Sequence, residues 1–131
     1  MEENNGKIKS FSDLKVWVEG HKLVIMVYKI SESFPKTEQF GLTNQIRRAV
    51  VSITSNVAEG FSRESTKDRV HFYIMALGSL NETQNQLLIS RDINYLKQKD
   101  WDDLEEQVIM VSKMLNGLIK KSNSYIVTRT S

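Results

Sequence analysis

Residues 40–65 read Phe40-Gly41-Leu42-Thr43-Asn44-Gln45-Ile46-Arg47-Arg48-Ala49-Val50-Val51-Ser52-Ile53-Thr54-Ser55-Asn56-Val57-Ala58-Glu59-Gly60-Phe61-Ser62-Arg63-Glu64-Ser65. Within them Ile46, Val50, Ile53, Val57 and Gly60 recur at spacings of four, three, four and three. That is one face of an α-helix. Arg47, Arg48, Asn56, Glu59 and Arg63 occupy its other faces, and no acidic residue occurs from Gln39 to Ala58. The first half of this helix is therefore cationic. One apolar stripe requires partner helices to cover it, and the flanking segments supply candidates.

Upstream, a helix is predicted from Asp13 to Ser33 with Ser12 as N-cap. It carries two apolar seams. Leu14, Trp17, His21, Val24 and Tyr28 form one; Val16, Gly20, Leu23, Val27 and Ile30 form the other. A bundle core needs one seam, so two imply burial on more than one side. Phe34-Pro35 ends the helix, because proline disfavours helical backbone at the residue before it. A short helical turn is expected over residues 37–40. The second helix follows from an N-cap at Thr43 to Ser62. Gly60, near its end, leaves room for a neighbouring backbone or aromatic ring.

Downstream, Ser65-Thr66-Lys67-Asp68 resembles a capping box with Asp in place of Glu. It opens a long third helix with Val70, Tyr73, Leu77, Leu80, Gln84, Leu87 and Arg91 on one stripe. Asp100 is expected to cap a fourth helix, where Trp101, Leu104, Val108, Val111, Leu115 and Leu118 keep a heptad pattern. Acids crowd the start of this helix, and Lys120 and Lys121 its end, each sign suited to the nearby pole of the helix dipole. Short joints make successive helices antiparallel. The expected fold class is all-α, an antiparallel up-and-down four-helix bundle over residues 11–121. Residues 1–10 and 122–131 are expected to be flexible tails.

A chain of 131 residues fits one domain of this kind. It contains no cysteine, which excludes disulfides, zinc–thiolate sites and thiol catalysis. The start lacks the basic and apolar segments of a signal peptide, and the longest apolar run, Leu23 to Tyr28, is too short to span a bilayer. The expected location is the cytoplasm, with no membrane partner. Asn81-Glu82-Thr83 matches a glycosylation sequon but lies inside a helical pattern and reads as chance.

The search for chemistry yields little. His21 and His71 are the only histidines, and there is no Glu-x-x-His pair, His-Glu-x-x-His motif or glycine-rich phosphate loop. His21 reads as a core or interface residue and His71 as part of a solvated face. Glu59 and Arg63, four apart, form a favourable intrahelical pair. No catalytic residue, metal or cofactor is expected.

Two surfaces remain. Ser52, Asn56, Glu59 and Arg63 make a polar stripe, partly matched by Ser79, Glu82 and Gln86. These are either solvated faces or a seam between subunits, and the spare seam of helix one, with Trp17, supports the second reading. The candidate oligomer interface is thus Trp17, Ser52, Asn56, Glu59, Ser79 and Glu82. Four of the six arginines lie between Arg47 and Arg69, although net charge is only +2. Arg47, Arg48, Arg63, Lys67 and Arg69 form a candidate patch for RNA or DNA phosphates, to which arginine binds bidentately. The alternative is a protein-interaction scaffold whose basic and polar residues serve only assembly.

Several motifs also carry a family resemblance. They are Phe11-Ser12-Asp13-Leu14-Lys15-Val16-Trp17, Phe34-Pro35, Phe40 through Ala49, Val51-Ser52-Ile53 and Ser55-Asn56-Val57-Ala58-Glu59-Gly60-Phe61 with Arg63. Ala76-Leu77-Gly78-Ser79-Leu80-Asn81-Glu82 and Gln86-Leu87 complete them. Across residues 11–96 the chain resembles the four-helix-bundle family named for proteins encoded in intervening sequences of bacterial 23S ribosomal RNA genes. Thr54, where proline is common in the family, and Asn81, where alanine is usual, are small departures. The resemblance implies an up-and-down bundle that assembles as a ring-like homopentamer. It also implies a relation to the basic accessory bundles of diversity-generating retroelements. It implies no enzymatic activity.

Overall fold

A computed structural model describes the backbone of residues 8–130 and the side chains of residues 8–124. The N-terminal tail expected over residues 1–10 falls largely outside the described residues. Four helices follow in order: α1 (Lys15–Ser31), α2 (Leu42–Ser62), α3 (Thr66–Asp92) and α4 (Gln98–Thr130). Short 3-10 turns, Phe11–Asp13 and Lys36–Glu38, precede α1 and α2. No strand occurs among the described residues. The brief joints at 63–65 and 93–97 turn the chain back on itself, giving the antiparallel bundle. Each helix packs against its two neighbours in the ring α1–α2–α3–α4, while the backbones of the diagonal pairs stay apart.

The core is the meeting of four stripes. Leu23 and Val27 come from α1, and Ile46, Val50, Ile53 and Val57 from α2. Ala76, Leu80 and Leu87 come from α3, and Leu104, Val108, Val111 and Leu115 from α4. The expected stripes of α2 and α4 are buried, with Leu118 at the edge. On α3 the buried line differs from expectation. It runs Val70, Tyr73, Ala76, Leu80, Thr83, Gln86, Leu87 and Ser90, while Leu77 and Gln84 lie at the margin and Arg91 is exposed. Polar Thr83 and Ser90 tolerate burial because their hydroxyls donate to carbonyls one turn back, on Ser79 and Gln86 (2.8 Å each).

The helix starts also depart from expectation. Ser12 does not cap α1. Ser10 caps the preceding 3-10 turn, accepting from Ser12 N and closing a box in which Asp13 accepts from Ser10 N. Leu14 is then the N-cap of α1. Thr43 lies inside α2, whose N-cap is Gly41. Here the Glu38 carboxylate reaches forward and accepts from Leu42 N at 3.1 Å, so a borrowed acid performs the capping. Asp100 sits in the first turn of α4. Ser65 does cap α3, accepting from Asp68 N at 3.1 Å. The helical backbone of α4 continues nine residues past the Lys121 boundary, to Thr130.

Gly60 permits the tightest contact of the α2–α3 joint. A Cβ placed on it would lie 2.7 Å from Tyr73 Cε1 and 3.1 Å from Phe72 Cβ. At its other end α3 stops in a Schellman arrangement. Asn94 takes a left-handed φ of 67°, Asn94 N bonds Arg91 O, and Tyr95 N bonds Ser90 O. The turn aims Tyr95 at Phe34 (5.3 Å between ring centroids), and its hydroxyl donates to Glu38 Oε2 at 2.9 Å. One carboxylate therefore caps α2 and staples the two loops at that end of the bundle.

Candidate functional site

The five expected phosphate ligands fall into two groups. Arg47 and Arg48 lie in the second turn of α2; Arg63, Lys67 and Arg69 lie around the α2–α3 turn. Fifteen residues of helix separate Arg48 from Arg63, or about 22 Å at 1.5 Å per residue. One subunit thus does not gather them into a single patch.

Three of the five are engaged within the chain. Arg47 donates from Nε to Ser31 Oγ (2.8 Å) and from Nη2 to the Tyr28 carbonyl (3.2 Å), and its guanidinium lies 4.6 Å above the Tyr28 ring. It thereby satisfies an end carbonyl of α1, where a positive group also suits the dipole. Arg63 pairs with Glu59 at 2.8 Å, as the spacing predicts, and covers the Phe72 ring. Both partners of that pair are about half exposed, so its contribution is small. Arg69 donates from Nε to the Arg63 carbonyl at 2.6 Å, closing the end of α2. Arg48 and Lys67 are exposed and make no hydrogen bond or ion pair among the described residues.

The expected interface residues divide in the same way. Ser79 Oγ donates to Ser52 Oγ at 2.9 Å, and the Asn56 amide donates to the Ser52 carbonyl and hydroxyl. This polar seam joins α2 to α3 within one chain. Glu82 is exposed beside it and accepts from Gln86 Nε2 at 3.5 Å, while Gln86 Oε1 is buried with no partner among the described residues. Trp17 is half-buried, held edge-on by Phe11 (5.4 Å) and stacked by His21 (4.7 Å, 11° between planes). His21 itself is exposed, not in the core. His71 is exposed too, edge-on to Phe72.

The two seams of α1 have different fates. Val16, Gly20, Leu23 and Val27 are buried, with Ile30 at the edge. On the other side Val18, Ile25 and Tyr28 keep 37%, 42% and 40% of their surface, on the face that also carries Trp17 and the exposed His21. The expected second seam of Leu14, Trp17, His21, Val24 and Tyr28 is thus split, because Val24 is buried in the core and Leu14 packs against it, and Val18 and Ile25 are exposed in their place. The outer face of α3 likewise exposes Ile74, Met75 and Ile89. Because α1 and α3 are a diagonal pair, these strips lie on opposite sides of the bundle.

No group of three or more His, Cys, Asp or Glu side chains suited to a metal occurs among the described residues. None of the described helices is long and apolar enough to cross a membrane.

Comparison with known proteins agrees with this architecture. A solved structure from Bacteroides thetaiotaomicron, described as a protein with unknown function from the S23 ribosomal protein family, superposes with a TM-score of 0.72. The match covers 80% of this chain and 98% of that one at 22% identity, so the likeness is one of fold. No curated protein matches the chain. The family model of the 23S rRNA-intervening sequence protein matches residues 12–117, most of the sequence and all four helices. The chain belongs to the 23S rRNA-intervening sequence protein family.

Proposed function

We propose that this protein is a self-associating helical bundle that acts by binding rather than by catalysis. The observation that carries the reading is the strip of Trp17, Val18, Ile25 and Tyr28 on α1, left open although the core is complete. Grouped exposed apolar side chains of this kind are the usual mark of a contact site. The opposite strip on α3 supports a particular geometry. Contact between two different faces is head-to-tail, and repetition of such a contact closes a ring or extends a filament. A ring is the arrangement the family resemblance implies, with five subunits. Trp17 and Glu82 then lie on the two contacting sides, and Ser52, Asn56, Glu59 and Ser79 lie in the groove next to the α3 side.

Sedimentation velocity over a dilution series tests this reading. The wild type should sediment faster as concentration rises. Ile25→Glu, which puts a charge in the strip without touching the core, should sediment as a single slow species. A wild type that stays slow at every concentration contradicts the reading.

A second reading, binding of RNA or DNA phosphates, is favoured by a different observation: Arg48 and Lys67 are uncommitted cations, and Arg48 lies in a stretch, Gln39 to Ala58, without an acidic residue. Arg47, Arg63 and Arg69 add positive field while holding the fold. In an assembly each set is repeated and the summed potential grows. Binding of this kind is weakly selective for sequence and falls steeply with salt.

A further inference from the structure

We propose that a cleft between the outer face of α2 and Tyr28 of α1 is the binding site for a phosphate ester group, with Arg48 as its principal ligand. The inference rests on the nucleic-acid reading above and narrows it to one end of α2.

Asn44, Arg48, Val51 and Ser55 recur at four, three and four along α2, so they form a single outward line. With Tyr28 and Arg47 they line a surface cleft of about 610 Å³, and none of its lining side chains is acidic. The cleft is shallow and open to solvent, so a phosphate on a polymer or a free nucleotide can approach it.

The two arginines differ in their engagement within the chain. Arg47 is fixed by Ser31, the Tyr28 carbonyl and the Tyr28 ring. Two of its three nitrogens are engaged, and Nη1 makes no hydrogen bond among the described residues. It is a pre-positioned positive wall, whose ordering free energy was expended in folding. Arg48 is exposed, with its full fork of donors uncommitted. A fork of this shape matches two phosphate oxygens at once. The Asn44 amide and the hydroxyls of Ser55 and Tyr28 also lack partners among the described residues. The cleft thus offers several uncommitted donors around two guanidinium groups and no competing carboxylate. A phosphate ester satisfies that set, whereas a cation or an apolar ligand does not. The same chemistry is presented by a polynucleotide backbone and by a free nucleotide.

Fluorescence anisotropy with a labelled single-stranded RNA oligonucleotide, and separately with a labelled adenosine triphosphate, tests the site. Wild type, Arg48→Ala, Asn44→Ala and the control Lys113→Ala on α4 are compared across a salt series, each with its denaturation midpoint measured. Arg48→Ala should weaken binding by about tenfold, corresponding to one charge-assisted contact. It should also lower the salt slope by about one. Asn44→Ala should weaken binding less, and the control not at all. RNA binding that Arg48→Ala leaves unchanged overturns the site while the nucleic-acid reading stands. Nucleotide binding that depends on Arg48, with no RNA binding, keeps the site and overturns the nucleic-acid reading. Binding of neither probe by the wild type overturns both.

Discussion

Gly60 and Arg47 show how much of this bundle depends on single side chains, or on the lack of one. The Gly60 Cα faces the buried Tyr73 ring so closely that an added methyl has no space. Gly60→Ala would gain about 1 kcal/mol of helix propensity. Crowding a packed core costs about 1–3 kcal/mol, and the aromatic ring has little freedom to retreat. A net loss of about 1 kcal/mol is therefore expected, visible as a lower urea midpoint with unchanged slope. The neighbouring arginines of α2 offer a paired comparison. Arg47→Ala removes two hydrogen bonds and a ring contact at the end of α1 and should destabilise by about 1–2 kcal/mol. Arg48→Ala removes none of these and should stay within about 0.5 kcal/mol of wild type. Equal losses in the two variants would contradict the division of labour between them.

Among the elements, periodicity located the buried faces of α2 and α4 but not that of α3, and of the expected caps only Ser65 holds. The stripes Ile46–Gly60 and Trp101–Leu118 were readable because each buried residue touches a helix on the same side, turn after turn. Ser12 and Thr43 are good cap residues that stand near better geometric solutions, and Asp100 lies inside the first turn of α4. A 3-10 turn capped by Ser10 displaced Ser12, and Glu38, four residues upstream of Leu42, displaced Thr43. The polar residues after Lys121 do not interrupt the helical backbone of α4, and no glycine or proline follows Gly117 to end it. The roles of Glu38 and Tyr95 were illegible, since 57 residues separate the two partners. Their bond makes a pH prediction. The hydrogen bond to Glu38 holds the Tyr95 phenol above its ordinary value of 10.0, with burial and the charge of Glu38 acting the same way. A raised value favours the protonated form in the folded state. The stabilisation is thus complete below about pH 10 and is lost as pH rises through the folded-state value. In an NMR titration of the tyrosine Cζ signals, Glu38→Ala should bring Tyr95 back toward 10.0. An unmoved titration would mean that the staple does not form.

For the whole molecule, the family and the four-helix architecture were legible from sequence, but the distribution of the candidate site was not. The arginines look clustered between residues 47 and 69, yet a straight helix carries Arg48 and Arg63 about 22 Å apart. Arg47 and Arg69 close helix ends through contacts that no local pattern reveals. The second stripe of helix one divides: Val24 joins the core and Leu14 and Trp17 pack against it, while Tyr28 stays exposed beside Val18 and Ile25, which that stripe did not include. The central claim is that this strip brings copies of the chain together. Static light scattering of the purified chain at micromolar concentration, with Ile25→Glu measured alongside, tests it most directly. The wild type should scatter as a particle several times 15.1 kDa, and the folded variant at about the subunit mass. A wild type that scatters as a 15.1 kDa particle, with the strip intact, would contradict it.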